Sequence, residues 1–235
     1  MENLPLHVSI VIGLTTLLTL VFVYKATSYS KPVATGIVLW LLLQSIISLT
    51  GFYTKSYSIP PRFPLLILPP LILIVVLFST GKGRRFIDSL DIKTLTLLHV
   101  IRIPVEVVLY WLFLHKVIPE IMTFEGRNFD ILSGLTAPLI YHFGFIKKQL
   151  SSRVILLWNF VCLGLLINIV TTAILSVPTP FQKFAFDQPN VAVLYFPFVW
   201  LPCFIVPVVL LSHLAAIRSV VSLKNKNNLP QLGSA

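Results

Sequence analysis

The stretch LHVSIVIGLTTLLTLVFVY, residues 6–24, contains no lysine, arginine, aspartate or glutamate. A helix of about 20 such residues is long enough to span the hydrocarbon core of a bilayer. Glu2 precedes the stretch and Lys25 follows it, whereas a signal peptide carries positive charge before its apolar core. The stretch therefore predicts a retained transmembrane helix whose N-terminus lies outside.

The composition of the whole chain is typical of a membrane protein. Of its 235 residues, 56% are apolar and 11% are charged, whereas soluble domains average about 25% charged residues. The formal net charge of +10 would favour nucleic acid in a soluble protein, but here the basic residues separate apolar stretches. We therefore exclude a soluble enzyme, a disordered protein and a nucleic-acid binder, and we expect the lipid bilayer to be a partner.

Further apolar stretches follow the first and are separated by short breaks rich in proline, glycine and serine. They predict an all-α fold, a polytopic membrane bundle of seven transmembrane helices. In this interpretation residues 1–223 form one transmembrane domain and residues 224–235 form a polar cytosolic tail. The predicted helices cover residues 6–24, 33–53, 62–79, 93–117, 128–146, 152–176 and 190–218.

Lysine and arginine are distributed unevenly between the two sets of breaks. Twelve of the 18 basic residues fall in one set and five in the other, and Arg102 lies inside a helix. The positive-inside rule places the richer set in the cytosol, which puts the N-terminus outside and the C-terminus in the cytosol. The break GKGRR at residues 81–85 is then a basic loop that touches anionic lipid head groups. The absence of glycosylation sites and of soluble domains favours a bacterial cytoplasmic (inner) membrane.

The fourth predicted helix carries the strongest functional signal. His99, Arg102, Glu106 and Tyr110 fall within an arc of about 80° around this helix, so they form one polar stripe on an apolar background. Arg102 and Glu106 are four residues apart and are predicted to pair. Pro104 lies between them and weakens the helix there. Ionisable residues at membrane depth usually belong to a functional site, so the stripe predicts a substrate or ion path.

The connection after this helix is unusually polar. It contains Glu120, Glu125, Arg127 and Asp130 within eleven residues. These residues predict an acidic outer mouth above the stripe, with Glu125, Arg127 and Asp130 belonging to the path. Asp130 also begins the fifth predicted helix, where a carboxylate complements the helix dipole, and Asn128 is a candidate cap for the same helix.

Three histidines are predicted to lie at similar depth near the cytosolic side. His99, His142 and His213 fall on the fourth, fifth and seventh predicted helices. If those helices are neighbours, three imidazoles could bind zinc with an open fourth position, or two could hold a haem iron. The alternative is that they are three unrelated polar side chains near the head groups.

Two features of the sequence concern helix packing. Ser133 and Ala137 form a small-xxx-small pair that allows close approach of a neighbouring helix. Pro197, Pro202 and Pro207 interrupt the last predicted helix at five-residue spacing and predict that it is kinked.

Three function classes agree with these patterns. A small transporter, channel or ligand binder would use the polar stripe beneath the acidic mouth. An intramembrane enzyme that modifies a lipid or isoprenoid would use acid–base groups at lipid depth, with a metal on the three histidines. A structural subunit of a membrane complex would need the charged residues only for packing. We favour the first class, with a small molecule or a lipid as ligand, and the sequence leaves the oligomeric state open.

Overall fold

The computed structural model describes residues 4–55, 58 and 61–227, the last five of these by their backbone alone. The regular structure of this part of the chain is entirely helical. Short 3-10 turns and two π-helical turns separate the α-helices. The α-helices are α1 (Leu6–Ala26), α2 (Lys31–Leu49), α3 (Pro64–Ser79), α4 (Gly81–Asp88), α5 (Ile92–Leu98), α6 (Arg102–Leu114), α7 (Ile131–Leu139), α8 (Ser152–Leu175) and α9 (Val206–Asn227).

Several of these helices are long and apolar enough to cross a membrane, which confirms the predicted class of fold. Five helical segments qualify by length and composition. They are α1, α2, the continuous segment Ile92–Leu114, α8 and Leu201–Ser222. The α3–α4 pair would qualify as a sixth if the two bent helices are taken together, and Ile131–Ile146 is a shorter apolar helix. The count of seven crossings therefore stays a prediction.

Two backbone hydrogen bonds show which connections meet. The Asp91 N–H donates to the carbonyl oxygen of Ala26 at 2.9 Å, so the end of α1 meets the start of α5. The Val191 N–H donates to the carbonyl oxygen of Val117 at 3.0 Å, so the connection after α8 meets the one after α6. We call the first the basic end (segments 27–30, 80–91 and 147–151). We call the second the acidic end, after the three carboxyl groups of the connection that follows α6 (segments 50–55, 61–63, 115–130 and 176–200).

Residues 81–85, which were predicted to be a loop, form the first turns of α4. The Thr80 hydroxyl oxygen accepts a hydrogen bond from the Gly83 N–H at 3.1 Å and caps this helix. The axis of α4 is bent by 94° from that of α3. The bend requires glycine at position 83, because a Cβ there would lie 2.4 Å from the carbonyl oxygen of Leu77. The prediction failed because it treated two glycines as a break and overlooked the buried face of α4, which includes Ile87.

The last span begins later than predicted. Residues 190–200 form turns, including the 3-10 turn Ala192–Leu194, and the helical span starts at Leu201 with the π-helical turn Leu201–Ile205. Pro197 and Pro202 lack the N–H that a helix interior needs and restrict the residues before them, which accounts for the delay and for the irregular turn. At its other end α9 continues to Asn227, so part of the predicted tail is helical, and residues 228–235 lie outside the described residues.

The polar stripe lies on a helical segment that changes geometry at its midpoint. A 3-10 turn, His99–Ile101, joins α5 to α6 without breaking the span. Pro104 follows one turn later and removes the N–H that would bond to the fourth residue before it, so it explains why regular α-helix is interrupted here. This interruption separates His99 on the turn from Arg102 and Glu106 on α6.

Candidate functional site

Close packing of α6 against α7 brings two buried charges together. A Cβ added to Gly134 would lie 2.8 Å from a side-chain carbon of Ile103, so only glycine allows the helices to approach this closely. One turn before Gly134, Asp130 faces Arg102, with Nη1 2.9 Å from Oδ1. The two side chains are only 3% and 7% exposed. A close approach was predicted from Ser133 and Ala137; the residue at which the structure shows it is Gly134.

The ion partner of Arg102 differs from the prediction, which paired it with Glu106. Both residues are buried as expected, but the described ion pair of Arg102 is with Asp130. Two residues that are four apart on one helix need not pair with each other, because a closely packed second helix can supply other partners. Here Asp130, at the start of α7, forms the ion pair with Arg102, and Asn128 donates a hydrogen bond to the carboxylate of Glu106.

Asn128 holds the Glu106 carboxylate from the acidic end. Its Nδ2 lies 2.7 Å from both Oε1 and Oε2 of Glu106 and 3.0 Å from the carbonyl oxygen of Met122. An amide nitrogen has two hydrogens, so these three acceptors share two donors. The Asp130 N–H donates to the Asn128 Oδ1 at 3.1 Å, which fixes the orientation of the amide. The N-cap residue of α7 is Asp130, without a side-chain cap bond, so the predicted capping role of Asn128 was wrong. Asn128 instead orders the turn before the helix and binds Glu106, which was not predicted.

The charges of this cluster do not cancel when both carboxyl groups are ionised. Arg102 and Asp130 neutralise each other as a pair. Among the described residues, no basic side chain lies within ion-pair distance of Glu106. A carboxylate that is 1% exposed and has only an amide as partner is expensive in an apolar interior. Glu106 therefore requires either a proton or a cation.

His213 extends the Arg102 side of the cluster to α8 and α9. Its Nε2 lies 3.2 Å from the Nη2 of Arg102, and its Nδ1 lies 2.9 Å from the Oδ1 of Asn159. Arginine can only donate, so the Nε2 of His213 must be the acceptor. The Asn159 amide nitrogen donates to the carbonyl oxygen of Ile155 at 2.9 Å, so its Oδ1 is free to accept. His213 is therefore a neutral imidazole that carries its proton on Nδ1.

Two of the three predicted histidines converge. The rings of His99 and His213 stack with centroids 4.0 Å apart and planes 19° apart, and Trp158 packs against the edge of His99. His142 is exposed, and its ring lies against that of Phe143, its neighbour in the chain, not against His99 or His213. In the part of the chain that the structure describes, no group of three histidine, cysteine, aspartate or glutamate side chains could hold a metal ion. The acceptor role of His213 toward Arg102 also occupies the nitrogen that a metal would need.

The remaining predicted residues lie outside this buried cluster. Tyr110 is partly exposed and contacts the rings of Phe113 and Phe124. Glu125 and Arg127 are exposed, and the Arg127 carbonyl oxygen accepts a hydrogen bond from Asn168 at 2.9 Å. Of the predicted path, the structure thus joins Arg102 and Asp130 by direct contact. His99 reaches Arg102 only through His213, and Glu106 is reached through Asn128.

A cavity of about 210 Å³ lies between α3, α6, α8 and the start of the last span. Its wall is almost entirely apolar, and four of its lining residues are polar or charged, namely Glu106, Asp130, Thr171 and Asn190. The Oδ1 of Asn190 is buried and has no hydrogen-bond partner among the described residues, while its amide nitrogen donates to the carbonyl oxygen of Ala173 at 3.1 Å. The Oδ1 of Asp130 is also outside hydrogen-bond geometry despite its short distance to Arg102.

The polar groups of the cavity are thus predominantly acceptors. Glu106, Asp130 and Asn190 line a space whose other walls are almost entirely hydrocarbon, and the Oδ1 of Asn190 has no hydrogen-bond partner among the described residues. Buried acceptors are stabilised when a donor reaches them, and a charged donor does so most strongly. The arrangement suits an apolar molecule with a cationic or hydrogen-bond-donating group.

Sequence reasoning found the ionisable members of the site and missed the roles of Asn128 and Asn190. Both are fully or almost fully buried; Asn128 binds Glu106, and Asn190 lines the cavity. Asn128 was assigned only a capping role, and Asn190 lies in a connection. The available signal was a polar, uncharged residue next to an apolar stretch, which is also typical of ordinary caps and turns.

Comparison with known proteins places the site within a family. Residues 63–221, about two thirds of the chain, match a domain of unknown function (DUF8737). No curated protein and no solved structure matches the sequence. All the residues of the buried cluster, from His99 to His213, lie inside the matched segment.

Proposed function

We propose that this chain, which belongs to the DUF8737 family, is an integral membrane protein that binds a small apolar molecule with a cationic or hydrogen-bond-donating head group and carries it across the bilayer. The observation that carries the proposal is the Glu106 carboxyl group. It lines the cavity, is buried, and has no ion-pair partner among the described residues. A bound cation is the simplest way to satisfy this carboxylate.

The shape of the cavity supports a ligand of modest size. An engineered apolar cavity of about 150 Å³ binds benzene, so about 210 Å³ suits a ring with one substituent. The apolar walls, such as Leu109, Leu166 and Val206, would contact the ring. The head group would lie between Glu106 and the unpaired Oδ1 of Asn190.

Transport, as distinct from binding, is supported by the irregular helices around the cavity. Pro202 and Pro207 line it, and Pro202 lies in the π-helical turn that opens the last span. Such turns leave backbone groups outside the regular hydrogen-bond ladder, and they are frequent at functional sites. The protonatable Glu106 would allow release, because a proton can replace the cationic ligand there.

The proposal includes the topology of seven crossings with the N-terminus outside. The basic end would then face the cytosol of a bacterial inner membrane, and the acidic end would take up the ligand. The proximity of 27–30 to 80–91 and of 115–130 to 176–200 supports this arrangement. A reporter fused after Ala235 should be active only in its cytosolic form, and periplasmic activity would contradict the orientation.

Binding is tested with three probes of nearly equal size: cyclohexylamine, cyclohexanol and cyclohexanecarboxylate. Purified protein should be stabilised against thermal unfolding most by the amine, less by the alcohol and least by the carboxylate. Glu106→Gln should weaken amine binding about tenfold to a hundredfold, because a charge-assisted hydrogen bond contributes about 1.5–3 kcal/mol. Glu125→Gln is the matched control, since Glu125 is exposed in the connection at the same end.

Two outcomes would contradict the proposed ligand class. One is equal stabilisation by the amine and the carboxylate, and the other is an equal loss in the Glu106→Gln and Glu125→Gln variants. Transport is tested separately by uptake of labelled cyclohexylamine into proteoliposomes at several pH gradients. Binding without uptake above that of protein-free vesicles would leave a ligand-binding protein and refute the transport step.

A further inference from the structure

A second and larger concavity lies at the basic end. This apolar groove has a volume of about 570 Å³ and lies between α2 and α3, with α9 at its base. Its volume is in the range of small-molecule sites. Proline side chains from three helices line it: Pro32, Pro69, Pro70 and Pro207. Gly36 leaves open space on the α2 wall, because a Cβ added there would contact nothing within 4 Å.

The few polar groups of the groove are already used within the protein. The Thr27 hydroxyl donates to the carbonyl oxygen of Val23 at 2.9 Å. The Trp40 Nε1–H donates to the carbonyl oxygen of Cys203 at 2.9 Å, and the Ser212 hydroxyl donates within its own helix. The groove therefore offers hydrocarbon contact and no unpaired donor, which suits an alkyl chain.

The charge at the rim of the groove comes from α4. Phe86 of α4 lines the groove, and Lys82 lies one helical turn before it on the same face. Lys82, Arg84 and Arg85 are exposed. The one acidic residue of α4, Asp88, is bound by Arg218 through two hydrogen bonds of 2.7 and 2.9 Å. Among the described residues, no acidic side chain forms an ion pair with Lys82, Arg84 or Arg85, so the helix presents positive charge beside the groove.

We propose that this groove is a binding site for an anionic phospholipid. One acyl chain lies in the groove against Pro69, Pro70 and Phe86, and the phosphate lies against Lys82 and Arg85. The charge complementarity between α4 and an anionic head group identifies the occupant, since a zwitterionic lipid would fill the groove without using the cations. The groove shares Pro207 with the wall of the Glu106 cavity, but the lipid proposed here does not depend on the ligand proposed for that cavity.

The head-group contact is tested by counting retained lipids with native mass spectrometry. Protein is extracted from nanodiscs that contain equal amounts of phosphatidylglycerol and phosphatidylcholine. Each basic residue near an anionic surface strengthens binding about fivefold, so the double variant Lys82→Gln/Arg85→Gln should retain at least tenfold less phosphatidylglycerol. The matched control is Lys147→Gln/Lys148→Gln, which removes two exposed charges at the same end and away from the groove.

The acyl-chain contact is tested by filling the groove. Gly36→Leu should abolish retention of phosphatidylglycerol, whereas Gly164→Leu, at an exposed position on α8 with equal space, should not. If Gly36→Leu fails to fold, Val33→Phe on the same wall replaces it. The proposal is overturned if the groove-filling variant keeps its phosphatidylglycerol, or if both lipids are retained equally. It is also overturned if a soluble glycerol phosphate protects the protein from heat as well as the lipid does.

Discussion

The two concavities of this protein are both apolar, but they differ in whether their polar groups have partners within the protein. In the cavity near α6, Glu106 has no ion-pair partner among the described residues, and the Oδ1 of Asn190 has no hydrogen-bond partner among them. In the groove beside α4, the hydroxyl and indole groups donate to backbone carbonyls nearby, and the charges lie outside at the rim. Because unmet acceptors favour a donor and satisfied walls favour hydrocarbon, the two sites should select different ligands.

The difference also concerns stability. A buried polar group with incomplete partners lowers the free energy of unfolding, so the cavity is maintained at an energetic cost that the groove does not require. Substitutions that change side-chain volume equally should therefore change the free energy of unfolding by large and varied amounts around the cavity and by small, uniform amounts around the groove.

The largest effect is expected for Arg102→Ala. The substitution leaves Asp130 buried without its ion partner and removes the donor to His213. We expect the free energy of unfolding to fall by about 3–5 kcal/mol, measured by thermal or chemical unfolding in detergent. Arg102→Met combined with Asp130→Leu should lose less, because no charge remains unpaired. A double variant that is less stable than Arg102→Ala would show that the ion pair is not the main contribution.

The next largest effect is expected for Gly126→Ala, in the connection that positions Asn128. A Cβ at Gly126 would lie 2.3 Å from the carbonyl oxygen of Glu120, so the backbone must move. We expect a loss of about 1–3 kcal/mol, together with weaker binding of cyclohexylamine, since Asn128 would no longer hold Glu106. Gly164→Ala on α8 has open space around it and should change neither quantity.

The substitutions His99→Phe and His213→Phe should change the free energy of unfolding by different amounts, because the two stacked rings differ in their hydrogen bonds. The Nδ1 of His99 is buried without a partner among the described residues. His99→Phe should therefore keep the ring contact and change the free energy of unfolding by at most about 1 kcal/mol, and we expect an increase. His213→Phe removes contacts to Arg102 and Asn159 and should be clearly destabilising. Equal melting temperatures for the two variants would contradict the assigned roles.

The smallest effect is expected in the groove. Ser212→Ala removes a hydroxyl that bonds only to the carbonyl oxygen of Val208 in its own helix. The stability should change by no more than about 0.5 kcal/mol, and lipid retention should stay the same. A large loss in either measurement would mean that the polar groups of the groove contact the ligand, and the contrast with the cavity would then fail.

The sequence was sufficient to predict the class of fold because the hydrophobicity of each stretch depends only on the residues in that stretch and not on its packing. The apolar stretches of α1, α2 and α8 were placed within a few residues of their observed bounds. It was less successful where the structure depends on packing between helices. The bend at Gly83 depends on contact with Leu77, and the late start of the last span depends on prolines whose effect on the preceding residues was underestimated.

The candidate site shows the same limit. Helical spacing correctly predicted that Arg102 and Glu106 are buried on one helix. It could not predict that Arg102 would form its ion pair with Asp130, or that Asn128 would donate a hydrogen bond to Glu106, because both partners come from another segment of the chain. Likewise, depth placed His142 near His99, but rotation around its helix left it exposed.

The shortness of α3 has a consequence for the membrane around the protein. With 16 residues, this helix is roughly 24 Å long, whereas the hydrocarbon core of a bilayer is about 30 Å thick. If α3 spans the bilayer, the sharp turn into α4 prevents it from being extended, so the lipid beside α3 would have to become thinner to match it. Ile67 and Leu71 of α3 form a wall of the Glu106 cavity, so the cavity would then lie where the bilayer is thinnest and where an amphiphile leaving the lipid would have the shortest distance to travel.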